Sequence, residues 1–115
     1  MTGNEYQHAA MRTAGLYTVP YGLLTNGVMG LCGESGECID LVKKFLYQGH
    51  ELDREKLMDE LSDVAWYLAV TARAIGYDLD TVFEHNVEKL KKRYPDGFDT
   101  ARSIHRPEYD EGGTE

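Results

Sequence analysis

No stretch of this 115-residue chain approaches the roughly 18 consecutive apolar residues that a membrane span requires, so membrane insertion is excluded. Its first eight residues are polar and hold neither a cationic nor an apolar signal segment. No export signal is expected, and the cytoplasm is the expected compartment. Cysteine is scarce: Cys32 and Cys38 are spaced neither as CxxC nor as a zinc pattern, and are read as reduced thiols packed as small hydrophobes. Positive charge is also scarce, with 12 Lys and Arg against 20 Asp and Glu and a formal net charge of −8. Such a chain lacks the electrostatic footprint for duplex nucleic acid, so no polynucleotide partner is expected. Four of the acidic groups, Glu108, Asp110, Glu111 and Glu115, fall in a Gly-containing tail. That tail, residues 108–115, is expected to be disordered and solvated, which leaves residues 1–107 as one domain.

Only three prolines interrupt the chain, all near proposed breaks, and no segment alternates with the period of a strand. The pattern predicts an all-α fold, an antiparallel bundle of about four helices completed by oligomerisation. Asn4 and Gln7 resemble a capping box for a first helix over 5–14. A second helix is predicted over 23–47, closed by Gln48-Gly49-His50. Asp53 can cap a third over 54–75, with Gly76 as its stop. A fourth starts near 78–81, with Thr81 and Glu84 as a second capping box, and runs to Tyr94, where Pro95-Asp96-Gly97 forces a turn. Residues 98–115 read as an extended arm and tail.

At 100° per residue, the second helix places Leu23, Gly27, Leu31, Cys38, Leu41 and Phe45 on one face, expected to be buried. Glu34 and Glu37 fall on that same face. On the third helix Glu60 and Asp63 share a stripe with Tyr67, beside Leu57, Leu61, Val64, Leu68 and Ile75, while Trp66, Ala69 and Val70 cover much of the remainder. Carboxylates in such surroundings lose hydration unless something compensates. Each pair is spaced i, i+3, so ExxE facing ExxD makes an all-oxygen set that suits a hard divalent cation, Mg²⁺ first and Mn²⁺ as its substitute. The alternative for either pair is an ordinary solvated surface pair.

Gly27, Gly30, Gly33 and Gly36 recur at every third position of the same helix, each costing about 1 kcal/mol relative to Ala. Close approach of a neighbouring helix or of a ligand would account for the run. Neither GxGxxG nor GxSxG is present, so dinucleotide binding and a serine nucleophile do not follow. On the fourth helix Asn86, Lys89 and Arg93 line one stripe. An amide, an ammonium and a guanidinium in line can hold phosphate oxygens, although a basic helix end also simply complements the helix dipole.

With these residues the chain resembles the MazG-like nucleoside triphosphate pyrophosphohydrolases of the all-α NTP pyrophosphatase superfamily, over nearly all of residues 4–106. The motifs are Gly33-Glu34-Ser35-Gly36-Glu37, then Glu60-Leu61-Ser62-Asp63, with Asp40 and Lys43-Lys44, Trp66-Tyr67-Leu68, and Asn86-Val87-Glu88-Lys89-Leu90 running into Lys92-Arg93-Tyr94-Pro95-Asp96-Gly97-Phe98. Gly33 departs from the pattern, since many members carry a Glu there. The resemblance implies Mg²⁺-dependent hydrolysis of (d)NTP to (d)NMP and pyrophosphate by water attack at the α-phosphorus, in cleaning or reshaping the nucleotide pool. It implies metal ligation by Glu34, Glu37, Glu60 and Asp63, with Glu37 also orienting or deprotonating the water. Asn86, Lys89, Arg93 and, less directly, Lys44 would hold the phosphates. Tyr67, His8 and Trp66 are substrate-contact candidates, as is Tyr47, each with packing as its alternative role.

A ferritin-like di-iron bundle would need ExxH from each of two helices, and only Glu5-Tyr6-Gln7-His8 fits. A catalytically degenerate helical module that binds a nucleotide or dimerises is the stronger rival. Helices apolar on more than one face predict a homodimer or homotetramer.

Overall fold

The computed structural model of the chain describes residues 1–110, so the last five residues of the expected acidic tail lie outside the described residues. The described residues form α1 (Gly3–Met11), α2 (Gly22–Tyr47), α3 (Arg54–Ala74), α4 (Leu79–Arg93), α5 (Thr100–Ile104) and α6 (Pro107–Asp110). There is no strand among them beyond an isolated bridge between Pro95 and Gly97. The all-helical expectation therefore holds. The chain divides into two compact units, Met1–Leu79 and the residues from Asp80 onward.

In the first unit, α1 is capped two residues earlier than its sequence suggested. Thr2 Oγ1 accepts from the Glu5 backbone N–H at 3.0 Å, and the Thr2 N–H donates to Glu5 Oε1 at 2.7 Å, which is the reciprocal pair of a capping box. Thr2 competes better than Asn4 because its hydroxyl lies three residues from an acid, and Gln7 is thereby left to another task. Gln7 is 1% exposed. Its Nε2 donates to the carbonyls of Ala69 at 3.0 Å and Tyr77 at 3.2 Å, and its Oε1 accepts from the Leu79 N–H at 3.1 Å.

The ends of α2 and α3 follow the sequence closely. The Gln48 and His50 N–H groups both donate to the Lys44 carbonyl, with Gly49 at φ 74° turning the chain. Asp53 Oδ1 then caps α3 by accepting from the Lys56 N–H at 3.0 Å, and Gly76 at φ 87° follows its end. The connection between α2 and α3 is short, so the two helices run antiparallel. Gly27 meets Thr71 and Gly30 meets Tyr67, pairs whose numbers rise on one helix as they fall on the other.

The fully buried apolar set is small: Ala10, Ala69, Val70, Ala72 and Leu79. Leu61 and Ile75, expected in the apolar stripe of α3, are 54% and 56% exposed, and Phe45 of α2 is 44% exposed. The buried side of α3 is instead its Ala69-Val70-Ala72 side, where small residues admit α1 and α2 to close range. Trp66 completes the α1 contact by donating from Nε1 to the Ala10 carbonyl at 3.2 Å and to Thr13 Oγ1 at 3.0 Å.

In the second unit, α4 begins before Thr81, so Thr81 lies inside the first turn and not at the cap. After Arg93 the chain turns through Pro95-Asp96-Gly97 with Gly97 at φ 95°. The segment expected as an extended arm contains α5 and α6. Asp99 Oδ1 caps α5 by accepting from the Arg102 N–H at 3.0 Å. The Arg102 guanidinium then reaches back to the end of α4, donating to the Arg93 carbonyl at 2.7 Å and the Lys92 carbonyl at 3.4 Å. Those carbonyls have no helical partner at a C-terminus, and a cation suits the negative end of the dipole.

Candidate metal centre

The antiparallel register that pairs Gly30 with Tyr67 continues one helical turn further along each helix. There it brings Glu34 of α2 against Glu60 and Asp63 of α3, whose carboxylate oxygens lie within 4.8 Å of one another. Glu34 and Glu60 are half-buried and Asp63 is exposed. Tyr67 borders this set, one turn from Asp63 on its own helix and packed across Gly30, one turn from Glu34. Its ring meets Trp66 edge-on at 5.0 Å.

Electrostatics mark the crowding. The Glu34 carboxyl is pushed up to about 7, first by its hydrogen bond with Glu60, then by loss of hydration and the charges of Glu60, Asp63 and Glu37. Two carboxylates this close share a proton unless a cation replaces it. Tyr6 of α1 also feels the set: burial raises its phenol, and the Asp63 charge raises it further. Nothing in the acidic motifs pointed to Tyr6. Its place follows from the packing of α1 on α3, which the Gln7 and Trp66 hydrogen bonds orient.

The donor set fits a hard divalent cation. All three groups supply oxygen, the donor type a hard divalent cation takes, and their atoms lie within 4.8 Å of one another, close enough for one ion to draw on all three.

Glu37, the fourth acid of the sequence motif, stands outside these three and is exposed. It is near enough for its charge to raise both Glu34 and Lys44. Lys44 is committed to Asp40, with Nζ 2.9 Å from Oδ2, while Lys43 sits 3.7 Å from the other oxygen. Trp66 is held by α1 through its ring nitrogen, a packing role. His8 is exposed on α1, and Tyr47, at the end of α2, is 81% exposed.

The basic stripe belongs to the second unit. Asn86 and Lys89 are exposed on α4. Arg93 is half-buried and engaged, its Nε and Nη2 lying 2.7 and 2.6 Å from Glu108 Oε1. The sequence places Glu108 in a tail expected to be disordered and so offers no partner for Arg93.

The family model described as MazG nucleotide pyrophosphohydrolase domain matches residues 25–98, which include Glu34, Glu60 and Asp63. A protein of Mycobacterium phage L5, described as Gene 37 protein, is 41% identical over 69 residues, 56% of this chain and 60% of the phage protein. The match thus spans less than two thirds of that relative. No solved structure matches. No helix among the described residues is long and apolar enough to cross a membrane.

Proposed function

The chain belongs to the MazG nucleotide pyrophosphohydrolase family, and we propose that it hydrolyses (deoxy)nucleoside triphosphates at the α-phosphorus, with Mg²⁺ or Mn²⁺, to the monophosphate and pyrophosphate. The observation that carries the proposal is the oxygen-only set of Glu34, Glu60 and Asp63, gathered between two antiparallel helices in a chain of this family. A divalent cation held there supplies charge neutralisation for phosphate oxygens and makes water more acidic.

The chain's own residues divide the remaining work. Glu34, Glu60 and Asp63 would hold the cation, and Glu37, exposed beside them, would add its carboxylate to that set or orient the attacking water and accept its proton. Lys89, Arg93 and Asn86 neutralise and orient the phosphate oxygens, while Lys44 contributes a positive field tempered by Asp40. Tyr67 borders the site, with His8 and Trp66 as outlying candidates for the base. Catalysis of this kind is chiefly positioning and charge compensation. The working form is a homodimer or homotetramer, since half-exposed apolar side chains line several helices.

Product analysis tests the proposal. A nucleoside triphosphate should yield monophosphate and intact pyrophosphate, and ¹⁸O-labelled water should place its label on the monophosphate. Glu37→Gln should keep the fold and lose most turnover. Label in pyrophosphate, or diphosphate nucleoside as the primary product, would overturn the α-phosphorus assignment. A second reading, a degenerate nucleotide-binding module, is favoured by Gly33 in the motif and by Glu37 standing outside the three clustered acids. Binding without turnover across a panel of canonical and modified (d)NTPs would select it.

A further inference from the structure

Arg93 is already occupied by an anion of the chain itself. The Nε and Nη2 edge of its guanidinium converges on one oxygen of Glu108, at 2.7 and 2.6 Å. The same guanidinium donors that take a carboxylate oxygen can take phosphate oxygens. The arm that delivers Glu108 has its own anchor upstream. Arg102 holds the carbonyls of Arg93 and Lys92, and the Tyr94 and Phe98 rings pack at 5.2 Å. Losing the Glu108 contact therefore leaves α5 attached to the end of α4. The pair is part-buried, with the Arg93 and Glu108 side chains 19% and 37% exposed, so solvent and a ligand reach it chiefly from the carboxylate side. Lys89, Lys91 and Lys92 on the same helix favour a more highly charged anion over a single carboxylate.

We propose that Glu108 is a built-in competitor for the phosphate site, a carboxylate that occupies Arg93 until a triphosphate displaces it. This rests on the reading of Arg93 as a phosphate ligand. Because Glu108 is tethered, it competes at a fixed effective concentration and sets the substrate level at which the site fills. A single part-buried surface pair of this kind can be exchanged, and its competition amounts to a factor of about two to five in apparent affinity.

Calorimetry with inorganic tripolyphosphate and Mg²⁺, on the full chain, tests this. Glu108→Gln should tighten binding about two- to five-fold. Glu88→Gln, which removes the same charge from the Lys91 pair on α4, should leave binding unchanged. Arg93→Gln should weaken binding, and adding Glu108→Gln to it should have no further effect. Hydrogen exchange over residues 104–110 should quicken when tripolyphosphate is added. Equal tightening in Glu88→Gln would reduce the effect to general charge and overturn the proposal. Unchanged binding in Glu108→Gln, with weakened binding in Arg93→Gln, would reject the competitor and keep the phosphate reading. Unchanged binding in Arg93→Gln would reject both. Slower exchange over 104–110 would make the arm a clamp on the ligand and reject the competitor.

Discussion

The Tyr67 ring lies against the backbone of Gly30, so that a Cβ at that position would fall within the ring. Glycine is required there by close approach, and the approach holds α2 against α3 one turn from Glu34. Gly33, by contrast, has open space where a Cβ would sit. Gly30→Ala should therefore destabilise the protein by about 1–3 kcal/mol through overpacking, despite the better helix propensity of Ala. Gly33→Ala should stabilise it by up to about 1 kcal/mol. Urea denaturation of the two variants should give opposite signs; two shifts in the same direction would show that the ring yields at little cost.

Gln7 ties α1 to the α3–α4 connection by satisfying three backbone groups at once. The Ala69 carbonyl is inside a helix and keeps its i→i+4 bond without Gln7, so the Tyr77 carbonyl and the Leu79 N–H bear the loss. Gln7→Leu, close in size, should cost about 2–4 kcal/mol because those buried groups are left unpaired. Guanidinium denaturation gives the value, and a loss below about 0.5 kcal/mol would mean that water replaces the amide.

Gln7 also shows what the sequence could convey and where it stopped. Helix identity and most helix ends were legible because Asp53, Gly49, Gly76 and Gly97 act through local backbone chemistry that needs no tertiary contact. The acids Glu34, Glu60 and Asp63 were legible as candidates because i, i+3 spacing puts each pair on one helix face, whereas the register that brings Glu34 but not Glu37 into one group with Glu60 and Asp63 is set by the Gly27–Thr71 and Gly30–Tyr67 contacts. Gln7 was misread because the same spacing suits a cap and a buried clamp, and only Ala69, Tyr77 and Leu79 distinguish them. The four glycines looked equivalent, yet Gly27 and Gly30 meet α3 while Gly33 and Gly36 meet nothing within 4 Å. The partner of Arg93 was hidden for another reason: a short acidic stretch carries no periodicity from which folding back could be inferred.

Gly36, Ile39 and Leu46 belong to a side of α2 that faces away from Thr71 and Tyr67. With Met29 and Tyr47 they share a broad helical face, and Met29, Ile39, Leu46 and Tyr47 are 69, 62, 59 and 81% exposed. Exposed apolar residues scattered singly need no explanation, but a continuous stripe along one helix does. The chain should sediment as a dimer or tetramer at micromolar concentration, and Ile39→Asp should shift it toward monomer. A stable species at 13.0 kDa would leave that face without a partner and end the oligomer reading.

Proton and metal compete at Glu34. In the folded protein this carboxyl holds its proton up to about pH 7, chiefly through its hydrogen bond with Glu60, whereas an unfolded chain releases it near the ordinary glutamate value of about 4.3. Between those limits the folded state binds more protons than the unfolded state, so this group's contribution is fully present at low pH and is lost as pH rises toward 7. Without divalent metal, the melting temperature should accordingly fall from about pH 5 to pH 8 through this group. A cation held by Glu34, Glu60 and Asp63 takes the proton's place, so Mg²⁺ should bind poorly at pH 5.5, better at pH 8, and release close to one proton per site near pH 6.5. At a hundred-fold excess over its Kd, Mg²⁺ should raise the pH 8 melting temperature by roughly 10 °C. Glu34→Gln should flatten the metal-free pH profile, because the titrating group is gone, and weaken the Mg²⁺ response. Glu60→Gln should weaken that response too. Melting scans at several pH values, with calorimetry in buffers of different ionisation enthalpy, measure both sides of the linkage. A Mg²⁺ response of equal size at pH 5.5 and pH 8, or one unchanged in Glu60→Gln, would place the cation elsewhere in the protein.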